Sequence, residues 1–334
     1  MYNRLDDHLL GFSAAAPGTI TSDILLTGLN TGAGESLSGM DFRPATGQLY
    51  GFASDSIITR IVTINTTTGI VTVVGGTTPA TADVFFGTDF NPVLDRLHII
   101  GDRRSNRRFN PNDGTVAGTD TPLAYVAGDP GAGTTPNIVH IAYDRNVAGA
   151  ALTTLFGIDQ NRDTLVRIGG VDGNPSPNGG QVTTIGPLGV NVTSAGGFDI
   201  QGGSGTAYAV MRLSGVSTLF TINLSTGAAT QIGPVAGGPF IEGIAVSQCT
   251  ASATVDGRVL TSDGRGLRNA TVSIVDSRGV SRTATTSSFG LFSFDNVATG
   301  DTYTIRVLSR LFRYIPQTMQ VNGNLTLPDF VGLE

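Results

Sequence analysis

The sequence predicts an all-β protein in two parts, a ring of five strand-rich units over residues 1–248 and a small β-sandwich over 249–334. Three observations lead there. A pattern of short apolar strands recurs roughly every 40 to 50 residues, the period of radial β-arrays. The 46 Gly and 15 Pro are spread along all 334 residues, so turns punctuate the chain too often for long helices. Hydrophobic residues make up 40% of the chain and charged residues only 14%, so Thr, Ser, Asn and Gly must carry much of the surface.

The second unit shows the pattern best. It opens with Gly39-Met40-Asp41-Phe42-Arg43-Pro44, continues through Leu49-Tyr50-Gly51-Phe52 and Ile61-Val62-Thr63-Ile64-Asn65, and closes with Ile70-Val71-Thr72-Val73-Val74. These read as four short strands separated by turn residues. The third unit repeats the opening as Gly87-Thr88-Asp89-Phe90-Asn91-Pro92, the fourth begins at Ile141-Ala142-Tyr143, and the fifth at Gly197-Phe198-Asp199-Ile200. One more unit is assembled from the two ends. Gly243-Ile244-Ala245-Val246-Ser247 resembles an opening strand with nothing after it, while Leu9–Ser13 and Thr19–Gly28 resemble later strands with no opening before them. Joining the ends predicts a five-bladed β-propeller closed by its N- and C-terminal strands, which leaves only short, protected sheet edges.

Over residues ~8 to 247, judged by the repeat period, the chain resembles the bacterial domain family DUF4394. The resemblance rests on Leu37–Pro44, Leu49-Tyr50-Gly51, Gly87–Pro92, Leu155-Phe156-Gly157-Ile158-Asp159 and Gly197–Ile200. It implies a propeller-like fold and no particular activity.

After Cys249 the texture changes. Val255–Val259, Ala270–Ile274, Leu291–Phe294 and Tyr303–Val307 alternate apolar and polar residues, as half-buried sandwich strands do. Their order resembles the carboxypeptidase regulatory-like module, a transthyretin-like sandwich, which implies support, spacing or partner contact and no catalytic residue. The stretch Met319–Val331 is expected to finish this sandwich, the alternative being a strand added to a neighbour.

Charge excludes several functions. All 20 basic residues are arginine, which removes Schiff-base lysine chemistry, a P-loop lysine and Lys–Asn isopeptide crosslinks. The net charge is −6, and the first part carries 12 Arg against 19 acids, so nothing favours nucleic acid or an anionic membrane. No run approaches the ~18 apolar residues of a membrane span, and the start lacks a signal-peptide pattern, so export would be signal-less or follow removal of a leader. With a single cysteine, Cys249, no intrachain disulfide forms; it reads as a linker thiol, with an interchain bridge as the alternative.

The most suggestive constellation is Asp41, Asp89 and Asp199, at matched positions of opening strands, with Ala142 and Ala245 at the other two. Opening strands line a propeller's channel. Three carboxylates there could bind Ca²⁺ or share protons for glycosidic cleavage, whereas an aspartate at a strand end ordinarily accepts hydrogen bonds from a turn. His8, His98 and His140 have no metal-ligand spacing, and no Gly-x-Ser-x-Gly elbow exposes a serine nucleophile. Arg103, Arg104, Arg107 and Arg108 form the one basic cluster, read as a solvated blade face or as a seat for an anionic sugar or an acidic neighbouring subunit. Five glycosylation sequons, at Asn65, Asn191, Asn223, Asn269 and Asn324, matter only in a glycosylating host.

The expectation is therefore a non-enzymatic structural or assembly protein of the cell exterior or surface, partnered by copies of itself and needing no cofactor. A carbohydrate- or ligand-binding surface module and a glycoside hydrolase using the aspartates are the alternatives.

Overall fold

Side chains that start turns fix the strand ends in the first part. Asn65 Oδ1 accepts the N–H groups of Thr67 and Thr68, both at 2.9 Å, and Asn91 and Asn223 do the same for the residues two and three positions on. Each turn then passes through a left-handed residue, Gly69 at φ +72°, Asp95 at +50° and Gly227 at +83°. The local bonds explain why Asn begins these turns, and the left-handed step explains why Gly or Asp ends them.

The computed structural model describes residues 1–247, 252–276, 279–298, 301–321 and 323–333. The chain divides into two compact units, Met1–Gln248 and Cys249–Glu334. Both are all-β, and among the described residues helical structure is confined to three short 3-10 turns.

The first unit holds five sheets in chain order. Sheet one is β1 (Tyr2–Asn3), β2 (His8–Phe12) and β3 (Ile20–Leu25); sheet two is β4 (Ser36–Phe42), β5 (Leu49–Ser54), β6 (Ile58–Ile64) and β7 (Val71–Pro79). Sheet three is β8 (Phe86–Asn91), β9 (Arg96–Gly101), β10 (Asn106–Phe109) and β11 (Val116–Thr119). Sheet four adds a parallel outer strand, β12 (Ala124–Tyr125), to β13 (Ile138–Tyr143), β14 (Leu155–Asp159), β15 (Thr164–Ile168) and β16 (Gln181–Pro187). Sheet five is β17 (Gly196–Ile200), β18 (Ala207–Leu213), β19 (Val216–Ile222) and β20 (Ala229–Pro234).

Register confirms the repeat. Asp41 pairs with Tyr50, Asp89 with His98, Ala142 with Phe156 and Asp199 with Tyr208, so all four occupy one position of the antiparallel hairpin. The end-to-end unit differs from expectation. Gly243–Ser247 forms no named strand, and its ladder partner is β1, through the Tyr2 N–H to Gly243 O bond at 3.1 Å and the Asn3–Ile241 bridge. The reason is length: β1 has two residues, too few for a regular ladder on that side.

The inner strands of the sheets bury both faces, as β5, β8 and β13 do, whereas the outer strands β3, β7, β11 and β20 are largely exposed. Along β5, Leu49 and Ala53 pack towards Leu9, Leu26 and Leu37, while Tyr50 and Phe52 pack towards Phe86, Phe90 and Phe109. Further clusters join sheet three to four around Ile100, Ile141 and Tyr143, four to five around Phe156, Phe198 and Phe220, and five to one around Val210, Leu219, Ile244 and Leu10. Each fully buried side chain of this size stabilises by about 1.5–3 kcal/mol. Between the clusters the opening strands touch through glycine. A Cβ on Gly87 would lie 2.7 Å from Ile141 N, one on Gly197 2.6 Å from Ile244 N, and one on Gly39 would overlap Thr88.

The second unit is two facing sheets. One is built on β21 (Ser252–Leu260), and the other contains β22 (Thr271–Val275) and β23 (Ser281–Thr285). β24 (Leu291–Ala298) joins the first sheet, and β25 (Asp301–Leu308) and β26 (Gln317–Val321) join the second. The tail stays in its own unit: β27 (Leu325–Thr326) and β28 (Phe330–Val331) run parallel to β21. Val255, Val259, Val272, Ile274, Phe292, Phe294, Ile305 and Phe330 fill the space between the sheets.

Candidate functional site

The repeat brings Asp41, Asp89 and Asp199 together. One oxygen from each lies within 4.8 Å of the others, and the three residues are 1%, 1% and 2% exposed. They do not cap turns of their own sheets. Asp41 Oδ2 accepts the Phe90 N–H at 2.8 Å, Asp89 Oδ1 accepts the Tyr143 N–H at 3.1 Å, and Asp199 Oδ2 accepts the Val246 N–H. In register, each donor follows the matched position of the next opening strand: Phe90 follows Asp89, Tyr143 follows Ala142 and Val246 follows Ala245. Asp41 and Asp89 are thus latches from one sheet to the next, and Asp199 ties its sheet to the Gly243–Ser247 segment.

The latch uses one carboxylate oxygen and leaves the other. Asp89 Oδ2 and Asp199 Oδ1 are buried without a hydrogen-bond partner, whereas Asp41 Oδ1 accepts the Phe42 N–H at 2.6 Å. Burial raises the pKa of all three. Asp199 is pushed up to about 6, and Asp41 and Asp89 are raised well above the ordinary carboxylate range, first by burial and then by the neighbouring carboxylates. Three like charges in so small a buried space cannot all persist without a proton or a cation.

Near the cluster lies a narrow throat lined by Gly39, Gly87, Gly196, Gly197, Gly243 and His140. His140 stands two residues before Ala142, where the other opening strands carry glycine. Its Nε2 is buried without a partner, and burial lowers its pKa to about 4. The ring also borders a cavity of about 410 Å³ lined by Ser36, Ser38, Ser54, Phe85, His140 and the Arg4–Glu242 ion pair, which is 2.6 Å long.

The other candidates separate. His98 is buried between Tyr143 Oη, at 2.7 Å from Nδ1, and Asn106 Oδ1, at 2.5 Å from Nε2, and His8 pairs with Asp23 at the surface. The four arginines form no common face. Arg103 and Arg104 are exposed in the turn after β9, Arg107 is buried against the Phe109 ring, and Arg108 makes a two-bonded ion pair with Asp120 at 2.6 and 2.8 Å. Alternation along β10 sends Arg107 and Arg108 to opposite faces. Cys249 lies outside the described residues.

Two partly buried ion pairs were not singled out by sequence. Arg43 bonds both oxygens of Asp95 and also Asn112 at 2.9 Å, and Arg60 bonds both oxygens of Glu35. Arg43 lies 52 residues from Asp95, and the matched position of the third unit is Asn91, so no recurring signal marked its role.

The fold and site define a protein of repeated antiparallel sheets latched through inward aspartates, followed by a β-sandwich. Residues 8–245 match the family described as a domain of unknown function, DUF4394, and the chain belongs to that family. Residues 254–330 match the carboxypeptidase regulatory-like domain. No curated protein matches the chain. Among solved structures, a Myxococcus xanthus glutaminyl cyclase is 12% identical with a TM-score of 0.36, covering 58% of this chain and 73% of its own. A nidogen/laminin complex chain is 12% identical with a TM-score of 0.36, covering 84% and 82%. A Bacteroides thetaiotaomicron protein of unknown function is 13% identical with a TM-score of 0.37, covering 61% and 52%. Similarity this slight assigns no activity. No helix among the described residues is long and apolar enough to cross a membrane.

Proposed function

We propose that the first unit is a closed five-bladed propeller, and that the chain serves without catalysis as a structural or assembly component of the cell exterior, partnered by copies of itself. The burial and use of the aspartates carry the non-catalytic reading. Each holds backbone outside its own sheet, and with all three at most 2% exposed there is no space among them for a sugar. Retaining glycosidases need two carboxyl groups about 5–5.5 Å apart flanking the scissile bond. Closure is supported by the apolar cluster joining sheet five to sheet one, and by Gly243, which packs beside Met40.

Association is favoured by the second unit, where Leu308, Leu311 and Ile315 are 67%, 79% and 69% exposed on one stretch of chain. Large apolar side chains grouped at a surface mark contact sites. Sedimentation velocity of the full chain over a concentration series tests this reading. Larger species should grow with concentration and be lost in Leu311→Asp/Ile315→Asp; a monomer at every concentration contradicts it. A second reading, a binding module for a neutral glycan, is favoured by the serine-rich 410 Å³ cavity beside His140. A glycan array probed with the full chain checks it, and only saturable binding weakened by Ser36→Ala/Ser38→Ala supports it.

A further inference from the structure

The latch does not require the aspartate charge. Two of the five matched positions are Ala142 and Ala245, so a sheet takes its place in the repeat without a carboxylate there. Where aspartate is present, one oxygen per residue makes the bond outside its own sheet. The surplus oxygens of Asp89 and Asp199 remain, buried and unpartnered, on residues 1% and 2% exposed. An unpartnered buried carboxylate oxygen carries its full desolvation penalty. Among the described residues no ion pair joins any of the three aspartates to an arginine.

A proton relieves one pair of oxygens, since an O–H···O⁻ bond spans about 2.5–2.7 Å, and it leaves the third carboxylate alone. A cation relieves all three. One ion can reach all three, because the ligand atoms lie within 4.8 Å of one another. Ca²⁺ accepts oxygens at about 2.3–2.6 Å in flexible geometry, whereas Mg²⁺ demands a near-ideal octahedron at about 2.0–2.1 Å. Ligands fixed to three different sheets suit the more tolerant ion. Alanine at the two remaining matched positions adds no further carboxylate, so the rest of the roughly six to eight oxygens that Ca²⁺ takes would come from other groups or from water.

We infer that Asp41, Asp89 and Asp199 form a binding site for a hard divalent cation that accepts an irregular oxygen set, calcium rather than magnesium, with Asp89 Oδ2 and Asp199 Oδ1 as its principal ligands. The cation ties three sheets to one point and makes the first unit's stability depend on it. This inference goes beyond the assembly reading and does not rest on it, so either fails without the other.

The test is calorimetric titration of chelator-treated full chain with Ca²⁺, and with Mg²⁺ in parallel, alongside thermal melts followed by circular dichroism. One saturable Ca²⁺ site per chain is expected, with a melting temperature that rises on binding and weaker binding of Mg²⁺. Asp89→Asn and Asp199→Asn keep an oxygen for the latch and should each weaken Ca²⁺ binding at least tenfold. Absence of saturable heat and of any melting shift at millimolar Ca²⁺ would overturn the inference. So would unchanged affinity in both variants, or Mg²⁺ binding as tight as Ca²⁺. If a variant does not fold, the wild-type titration still decides.

Discussion

The two units solve the burial of β-structure differently. In the first, apolar clusters join successive sheets, and several interior polar groups are paired there, Arg60 with Glu35 and His98 with Tyr143 and Asn106, while others such as Asp89 Oδ2 and His140 Nε2 are not. In the second, two sheets share one core. Thr286 is its sole buried polar side chain among the described residues, while Phe289, Leu308, Leu311 and Ile315 reach solvent. Packing several sheets face to face brings the inner ends of their opening strands together, and a two-layer sandwich creates few such places. Buried ionisable groups therefore characterise the first unit, and the second exposes large apolar side chains such as Leu311 and Ile315.

The largest expected effect comes from the stacked-sheet core. Phe52 is fully buried, edge-on to Phe86 at 5.1 Å and tilted against Phe109 at 5.8 Å. Phe52→Ala should destabilise the protein by about 3–5 kcal/mol in urea denaturation. A cost under about 1 kcal/mol would show that sheets two and three are not packed as described.

Next comes acid sensitivity through His98. Burial lowers its pKa from 6.5 to about 4, so the folded protein holds it neutral while the unfolded chain binds a proton. Stability from this group is complete above pH 6.5 and is lost as pH falls towards 4, by up to roughly 3 kcal/mol. His98→Gln should flatten the stability–pH curve across that window. An unchanged slope would place the titration elsewhere.

A smaller and sharper contrast uses glycine. Gly87→Ala drives a methyl to within 2.7 Å of Ile141 N and should cost about 1–3 kcal/mol, because backbone cannot move aside cheaply. Gly323→Ala in the second unit meets nothing within 4 Å and should change stability by less than about 0.5 kcal/mol. Equal effects would break the distinction between tightly stacked and open sheets.

Much of the first unit was legible because its repeat is local. Gly39-Met40-Asp41, Gly87-Thr88-Asp89 and Gly197-Phe198-Asp199 carry their register in three residues, and Asn-initiated turns mark where strands end. β1 and β12 were not legible. Each has two residues, too few to show a period; β12 depends on a distant partner, the Gln181–Val182 segment, and β1 pairs with β2 and bonds Gly243 on its other side. The convergence of the aspartates could be read from matched positions, but the identity of their hydrogen-bond donors could not. Phe90, Tyr143 and Val246 act through backbone N–H groups, which any residue other than proline supplies. The arginine run misled for the opposite reason. Adjacency in sequence places neighbouring side chains on opposite faces of a strand, so Arg107 and Arg108 share a sequence cluster and no surface.

The account rests most heavily on aspartates that hold the neighbouring backbone. Residue-resolved hydrogen exchange by NMR on Asp41→Ala, Asp89→Ala and Asp199→Ala tests it directly. Each variant should speed exchange at its own partner amide, Phe90, Tyr143 or Val246 respectively, by about tenfold or more, as the loss of a buried acceptor implies. Unchanged protection of those three amides, with the variants folded, would contradict the latch and the architecture built on it.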